Sequence, residues 1–442
     1  MTPTRILLVG QGAREHALVW KLAREPGVNR VVVAPGSAAI SDEPRVRTVP
    51  GADVLDIDGL TALAREEAVE LAVIGPEAPL ALGVADALRD AGVPVFGPGV
   101  AAARIETSKA FCHEVATAAG VRMARAAVFD EFAPAVAFAR ELMAEPGSIG
   151  VVVKADGLAG GKGVTVCDDV EQAEDALGSL LAELGSRVVV EERLTGPEAS
   201  LIAICDGRDA VALSPARDHK RLRDGDAGPN TGGMGAYSPL PDLPDDGVGA
   251  LLDAIHRPIL ADLARRGTPF RGALYAGLML TADGPAVLEC NARFGDPETQ
   301  VQISRLGVAI GPLLLAAARG ELTAALRPLG IGSGVLPTTR EATVGIVLAT
   351  DGYPAAPRPG DVIEGLDHAK TQGALVFHGA TERDPEGRFR TAGGRVLTVV
   401  GRGIDLEAAR GVAERAADAV GWPGLQRRHD IAAGATAIGA GR

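Results

Sequence analysis

The sequence predicts a multidomain chain of mixed class, α/β at its N-terminal end and α+β beyond. Three observations carry this. Short apolar runs alternate with helical patterns over the first hundred residues, as in a doubly wound parallel sheet. Ala199 to Ala212 reads as an antiparallel meander. At 442 residues the chain has room for about three domains of roughly 150 residues each.

The elements follow in order. Arg5–Gly10 is a buried strand, with a helix running from Gly12 through Arg24. Val28–Ala34, Leu71–Gly75 and Val93–Gly97 are further strands with helices between them. A helix covers about Thr107–Ala119. Gly150–Lys154 and Arg187–Glu191 are strands around a glycine-rich turn and a helix. Arg217 to Tyr237 is polar, rich in Gly, Asp, Asn and Pro, and too patterned for a linker. A helix over about Val248–Arg266 leads into strands at Gly272–Leu280 and Ala286–Cys290. Gly330–Gly334 is a linker. Strands at Thr343–Leu348, Ala374–Gly379 and Arg395–Val400 and a helix over about Asp405–Val420 complete the chain.

Composition excludes several classes. The formal charge is −13 with no Lys/Arg-rich run, and only 3% of residues are aromatic, so neither a nucleic-acid backbone nor stacked bases are expected partners. No apolar run reaches the ~18 residues of a membrane span, and residues 1–5 lead straight into a strand without a signal sequence. The four cysteines are widely spaced and form no CxxC pair. The expectation is a soluble, cytoplasmic protein. Only six of the 44 basic residues are lysines, and four of these (Lys109, Lys154, Lys162, Lys220) fall between 109 and 220. A compact ammonium on a phosphate is not replaceable by arginine without changing geometry, so the cluster points weakly to a phosphate site.

Gly10-Gln11-Gly12-Ala13-Arg14-Glu15 resembles the start of a dinucleotide fingerprint, but Glu15 takes the place of the third glycine. The second strand ends without the acid that would hold a ribose hydroxyl, so NAD is not expected. What remains is a turn whose amides could hold an anion with help from Arg14, or a tight turn alone. Glu77, beyond the strand ending at Gly75, is either an acceptor for sugar hydroxyls or a helix-start acid. Lys154-Ala155-Asp156-Gly157-Leu158-Ala159-Gly160-Gly161-Lys162-Gly163 is sharper. A strand delivers Lys154 inward, where an unpaired ammonium is costly, and the glycines form a loop able to wrap a polyphosphate. The GxxxxGK[ST] spacing of a Walker A loop is absent.

Glu191-Glu192-Arg193-Leu194 ends a strand, and Thr195-Gly196-Pro197-Glu198 follows; such a connector can present backbone groups to an adenine edge and an acid to ribose. In Leu288–Glu298, period-two alternation puts Glu289, Asn291 and Arg293 on one strand face. Two oxygen ligands beside an arginine suit Mg²⁺ bridging phosphates; a Glu289–Arg293 ion pair is the structural alternative. His219, within Asp218-His219-Lys220-Arg221, has no partner at zinc-ligand spacing. Gly228 to Tyr237 could present amides to an anionic substrate.

The segments KADGLAGGKGV, EERLTGPEAS, DHKR, GPNTGGMGAYSP and ECNARFGDPETQ together resemble the phosphoribosylamine–glycine ligase family, the glycinamide ribonucleotide synthetases of the ATP-grasp superfamily. VGQGAREHAL, VIGPEAPL, Gly352-Tyr353-Pro354 and Gly360-Asp361-Val362-Ile363 extend the resemblance over nearly the whole chain. Thr107, Arg217 and Cys290 depart from the family pattern, which has glycine, glutamine and phenylalanine there.

The resemblance implies an N-terminal Rossmann-like domain over 1–104, an ATP-grasp domain over 105–330 with a lid subdomain at about 123–192, and a small C-terminal α/β domain over 331–442. It implies ligation of glycine to 5-phosphoribosylamine with ATP, through glycyl phosphate, in purine synthesis; another ATP-grasp carboxylate–amine ligase acting on a related nucleotide is the alternative. Lys109 and Lys154 are then expected on the ATP phosphates, Gly160, Gly161, Lys162 and Gly163 in the lid, and Glu191, Leu194 and Glu198 around adenosine. Glu289 and Asn291 are expected to bind Mg²⁺ or Mn²⁺. Arg293 would orient the glycine carboxylate and Asp218 its ammonium, while Gly12, Glu77, Asn230, Gly232 and Gly233 hold phosphoribosylamine. A monomer without nucleic-acid or membrane partners is expected.

Overall fold

A computed structural model describes residues 1–158, 163–184, 187–332 and 334–435. The N-terminal part contains β1 (Arg5–Gly10), α1 (Ala13–Leu22), β2 (Arg30–Pro35), β3 (Val46–Thr48), α2 (Ile57–Glu66), β4 (Leu71–Ile74), α3 (Glu77–Leu82), α4 (Val84–Asp90) and β5 (Val95–Phe96). Its five strands pair in parallel in the order β3-β2-β1-β4-β5. The central strands are apolar on both faces because helices cover both. β5 is shorter than the apolar run predicts: Pro94 has no N–H to give the ladder, although its carbonyl still accepts from Ala72.

The middle of the chain begins with α5 (Val100–Thr107) and α6 (Lys109–Ala118). A four-stranded antiparallel sheet, β6-β9-β7-β8, follows, made of β6 (Ala126–Phe129), β7 (Val151–Ala155), β8 (Val164–Cys167) and β9 (Val188–Glu192). Helices α7 (Phe132–Met143) and α8 (Val170–Leu184) pack on it, and Ala135, Leu142, Val151, Val153, Leu177 and Val190 form a core separate from the other clusters. The next sheet, β11-β10-β16-β17, uses β10 (Glu198–Asp206), β11 (Ala210–Ala212), β16 (Arg271–Thr281) and β17 (Gly284–Asn291).

Between β11 and β16 lie β12 (Arg217–Asp218), β13 (Arg221–Arg223), β14 (Ala227–Asn230) and β15 (Gly235–Ser238), then a single helical run. That run is α9 (Val248–Leu251), a π turn (Leu252–His256) and α10 (Arg257–Arg265) rather than the uniform helix predicted. Pro258 cannot donate the bond that would continue the ladder there. After β17 come α11 (Glu298–Arg305), α12 (Gly311–Arg319) and α13 (Leu322–Leu326).

The remainder holds β18 (Ala342–Ala349), α14 (Leu366–Thr371), β19 (Leu375–His378), the hairpin β20 (Thr381–Arg383) and β21 (Phe389–Thr391), β22 (Arg395–Gly403) and α15 (Leu406–Ala419). Its sheet runs β12-β15-β18-β22-β19. Two strands of the polar 217–237 stretch thus belong to the C-terminal sheet, Gly235 lying opposite Ile346. A division at 330/331 therefore cuts through a sheet.

Polar contacts lock these parts together. Lys21 Nζ donates to the Leu306 carbonyl at 2.7 Å, and the Glu25 carboxylate accepts from Ile310 and Gly311 at the start of α12. The His378 amide donates to His16 Nδ1 at 2.9 Å, joining β19 to α1. Among the described residues no helix is long and apolar enough to cross a membrane.

Candidate active site

β7 carries Lys154 inward, as its position in a valine run demands. The ammonium is buried with two partners, which leaves one of its three N–H donors: Nζ lies 2.7 Å from Glu191 Oε2 and donates to the Leu288 carbonyl at 2.9 Å. Glu191, expected beside adenosine, stands across the β7–β9 pair and uses its other oxygen on His113 Nε2 at 2.8 Å. Burial pushes the Glu191 carboxyl up, but Lys154 and His113 hold it below its ordinary value. Its place is therefore behind Lys154, holding the ammonium that faces the site.

Lys109 opens α6, whose N-cap is Ser108. Asp156, two residues after Lys154, accepts from the Ser108 hydroxyl at 2.9 Å and the Ala110 amide at 3.1 Å. Lys109 Nζ donates to the Gly157 carbonyl at 2.9 Å, so both lysines border the entrance to the glycine-rich turn. Burial lowers the Lys109 pKa. Gly160, Gly161 and Lys162 lie outside the described residues; Gly163 accepts from the Ala155 amide at 2.7 Å where β8 begins.

The connector from β9 to β10 passes between two sheets, with Leu194 half-buried on it and Glu198 at its far end. Gly196 is required by backbone approach: a Cβ there would sit 2.3 Å from the Leu280 carbonyl oxygen, at φ +148°. Glu198 lies 3.3 Å from Lys220 Nζ, and Lys220 is also 3.7 Å from Glu289.

Glu289 and Asn291 share a face of β17, because the bulge against β16 falls before Glu289. Lys220 first, with Lys154, Lys109 and Arg293 adding to it, holds the partly exposed Glu289 carboxyl at about 2. Among the described residues no group of three or more His, Cys, Asp or Glu side chains could hold a metal ion. Two oxygen donors within a ring of cations fit a magnesium ion that arrives with nucleotide phosphates and keeps several waters.

Arg293 does not continue the face, since β17 ends at Asn291 and Arg293 lies in the bend beyond. The Glu289–Arg293 pair does not form. Arg293 Nε is 3.4 Å from Glu77, Nη2 is 3.1 Å from Glu106, and Nη1 donates to the Phe294 carbonyl at 3.1 Å. Burial lowers its pKa, but Glu106 and Glu77 more than reverse this. Glu77 is thus an ion-pair partner of Arg293 through Oε2, which leaves its other oxygen for a sugar hydroxyl.

Two expectations about backbone amides are corrected. The Gly12 N–H donates to Glu15 Oε2 at 2.7 Å, a capping interaction that removes it from anion binding. Glu15 fills the elbow between β1 and β4: Cβ atoms at Gly10 or Gly75 would lie 2.6 and 2.2 Å from its side chain. The Gly232 N–H donates to Tyr353 Oη at 2.9 Å, and the Gly233 N–H to Thr231 Oγ1 at 3.0 Å. Gly233 instead permits close packing, since a Cβ would sit 2.5 Å from Pro297 Cδ and 2.8 Å from Asp218 Oδ1, at φ +109°.

Asp218 Oδ1 is buried without a hydrogen-bond partner among the described residues. Burial first, then Glu298, push the Asp218 carboxyl well above the usual carboxylate range. Asn230 ends β14 opposite Arg221. A cavity of about 380 Å³ separates the first turn of α1 from the C-terminal sheet, lined by Gly12, Ala13, Asp296, Thr381, Arg395 and Thr398.

Sequence reading missed Glu106, Glu15 as a cap, and Arg395, and placed Lys220 only within the lysine cluster that points to a phosphate site. Glu15 was findable, because a glutamate three residues after an N-cap is a capping signature. Lys220 lies in the DHKR segment, where its contacts with Glu198 and Glu289 carry no local signal. Arg395, which donates to the Gly232 and Asp296 carbonyls, is distant in sequence and carries no local signal.

Three family models match consecutive stretches: the phosphoribosylglycinamide synthetase N domain over 4–106, the ATP-grasp (A) domain over 107–299 and the C domain over 343–434. The chain is 48% identical over 434 residues to the phosphoribosylamine–glycine ligase of Streptomyces coelicolor, covering 97% of this chain and 99% of that one. It is 44% identical over 433 residues to the enzyme of that name from Vibrio parahaemolyticus, covering 97% of each. The crystal structure of phosphoribosylamine–glycine ligase from Thermotoga maritima superposes with a TM-score of 0.78 at 31% identity, covering 97% of this chain and all of that one. A biotin carboxylase domain from Hydrogenobacter thermophilus, in complex with MgADP, shares the fold at TM-score 0.68 and 16% identity, covering 97% and 92%. With three matching domains in order and relatives of this similarity along its length, the chain belongs to the phosphoribosylglycinamide synthetase family.

Proposed function

We propose that this chain joins glycine to 5-phosphoribosylamine, converting ATP to ADP and phosphate and releasing glycinamide ribonucleotide. The observation that carries this reading is the ring of Lys220, Lys154, Lys109 and Arg293 around Glu289. Cations converging on one acid from three separate segments suit a polyphosphate and a carboxylate held side by side. The names of the relatives supply the identity of the acceptor.

A carboxylate is a poor acyl donor, so its oxygen attacks the γ-phosphorus of ATP and ADP leaves, giving glycyl phosphate. The ribosylamine nitrogen then attacks the acyl carbon, phosphate departs with the carboxylate oxygen, and the nitrogen sheds a proton. Phosphoryl transfer of this kind depends on positioning and charge neutralisation rather than a side-chain nucleophile. Lys109 and Lys154 hold the ATP phosphates, and Glu191 orients Lys154. Leu194 and the connector around it border the adenine, with Glu198 toward the ribose. Glu289 and Asn291 would hold Mg²⁺ or Mn²⁺, which neutralises phosphate charge when bound. Arg293 takes the glycine carboxylate and Asp218, through its unpaired oxygen, the glycine ammonium. Phosphoribosylamine occupies the cavity between Gly12 and Arg395, with Asn230, Gly232 and Gly233 forming the adjoining wall. The labile acyl phosphate has to be shielded from water until the amine attacks. We further propose that the enzyme acts as a monomer in the cytoplasm.

The test uses glycine labelled with ¹⁸O in its carboxylate. Under full turnover one label is expected in released phosphate, and phosphate release should require glycine rather than bicarbonate or formate. Unlabelled phosphate overturns the acyl-phosphate route; release driven by bicarbonate or formate assigns another carboxylate substrate.

A further inference from the structure

Arg293 lies beyond the end of β17, so no ladder fixes it. What holds the bend is Glu106, the penultimate residue of α5. Glu106 Oε2 accepts from the Ala292 amide at 2.7 Å, and Oε1 lies 3.1 Å from Arg293 Nη2. The side chain is only 5% exposed. A carboxylate is kept in such a place only when its oxygens are partnered, and here one oxygen takes the backbone and the other the guanidinium. The Arg293 Nε faces Glu77, and its Nη1 faces the Phe294 carbonyl. A guanidinium has five N–H donors, so these three engagements leave one on each terminal nitrogen. That is the number a bidentate grip on a carboxylate requires.

We propose that Glu106 is the positioning residue for Arg293, setting both the bend and the guanidinium so that its two free N–H groups meet the substrate carboxylate. The proposal rests on the role given to Arg293 above. Glu106 also stands two residues before Ser108, the cap from which α6 presents Lys109. One helix end thereby joins the group that grips the phosphate to the group that grips the phosphate's acceptor, fixing the separation between the reacting centres. A misplacement of about 1 Å at such a point costs on the order of 100-fold.

The test measures KM for glycine, KM for ATP and kcat in the full-length Glu106→Gln, Glu106→Asp and Arg293→Lys variants and in the Glu106→Gln/Arg293→Lys double variant, with thermal melts alongside. Glu106→Gln keeps an acceptor for the Ala292 amide but loses the charge facing Arg293. Its glycine KM should rise about 10- to 100-fold, with the ATP KM within about twofold. Glu106→Asp, retaining charge with a shorter reach, should recover part of the loss, and it decides the matter if Glu106→Gln does not fold. The double variant should be no worse than Arg293→Lys alone, as expected for groups acting as one unit. If Arg293→Lys raises the glycine KM while natively melting Glu106 variants do not, the positioning role is overturned and the Arg293 reading stands. Full additivity in the double variant overturns it equally. An unchanged glycine KM in Arg293→Lys overturns both.

Discussion

Lys154 shows how much one side chain is asked to do. On the proposed assignment its ammonium neutralises substrate charge from within a buried ion pair, so Lys154→Ala removes a transition-state contact and also strands Glu191 beside His113 alone. Turnover should fall about 10²- to 10³-fold, measured as phosphate release by a variant whose circular dichroism is native. Glu289→Gln with Asn291→Ala should move the Mg²⁺ activation curve to higher concentration; an unchanged titration removes the metal from this face. Acid sensitivity has another source. Burial holds His219 and His256 at about 4 and His378 at about 3, against an ordinary 6.5. The unfolded chain binds these protons first, so the contribution is intact above pH 6.5 and lost as the pH falls through about 4. Urea unfolding at pH 6.5 and 4.5 should therefore show a drop that is smaller in His256→Gln. At this scale the sequence was legible where chemistry is local: Lys154, Glu289 and Asn291 lie in contiguous motifs. Glu106 was not, because its partners Ala292 and Arg293 are far along the chain and an acid in an alanine-rich helix carries no signal.

Among elements, the turn after β1 shows why a motif match is not a function. Glycines at 10 and 75 make room for Glu15, not for a ligand. Gly75→Ala should cost about 1–3 kcal/mol in denaturant unfolding, the usual range for forcing atoms into a filled space. Apolar runs predicted β1, β4, β7 and β9 within a residue or two, because strands buried on both faces advertise themselves. Helix α5 went unread despite its alanines: it is only eight residues long and starts from Gly99, after Gly97-Pro98, without a side-chain cap. β6 and the β20–β21 hairpin were lost for a related reason, being short and half-exposed.

Over the whole molecule, composition and motif order indicated the class and number of parts, but not how the parts share sheets. No local pattern announces that β15 will pair with β18 rather than with a neighbour. A chain ending at residue 330 keeps β15 and loses its partner, leaving an unpaired edge beside a cluster of apolar side chains. Such a fragment should express as aggregate, whereas adding residues 331–435 as a separate polypeptide should restore solubility. The shared sheet also sets a clock. A ribosome emits β15 and the loop that packs on Asp218 more than a hundred residues before β18. The nascent chain can assemble its lysines and Glu289 early, yet the wall proposed to receive the amine waits for β18. On the proposed assignment catalytic competence thus waits for β18 to emerge, and a chain that stalls before it never acquires that competence.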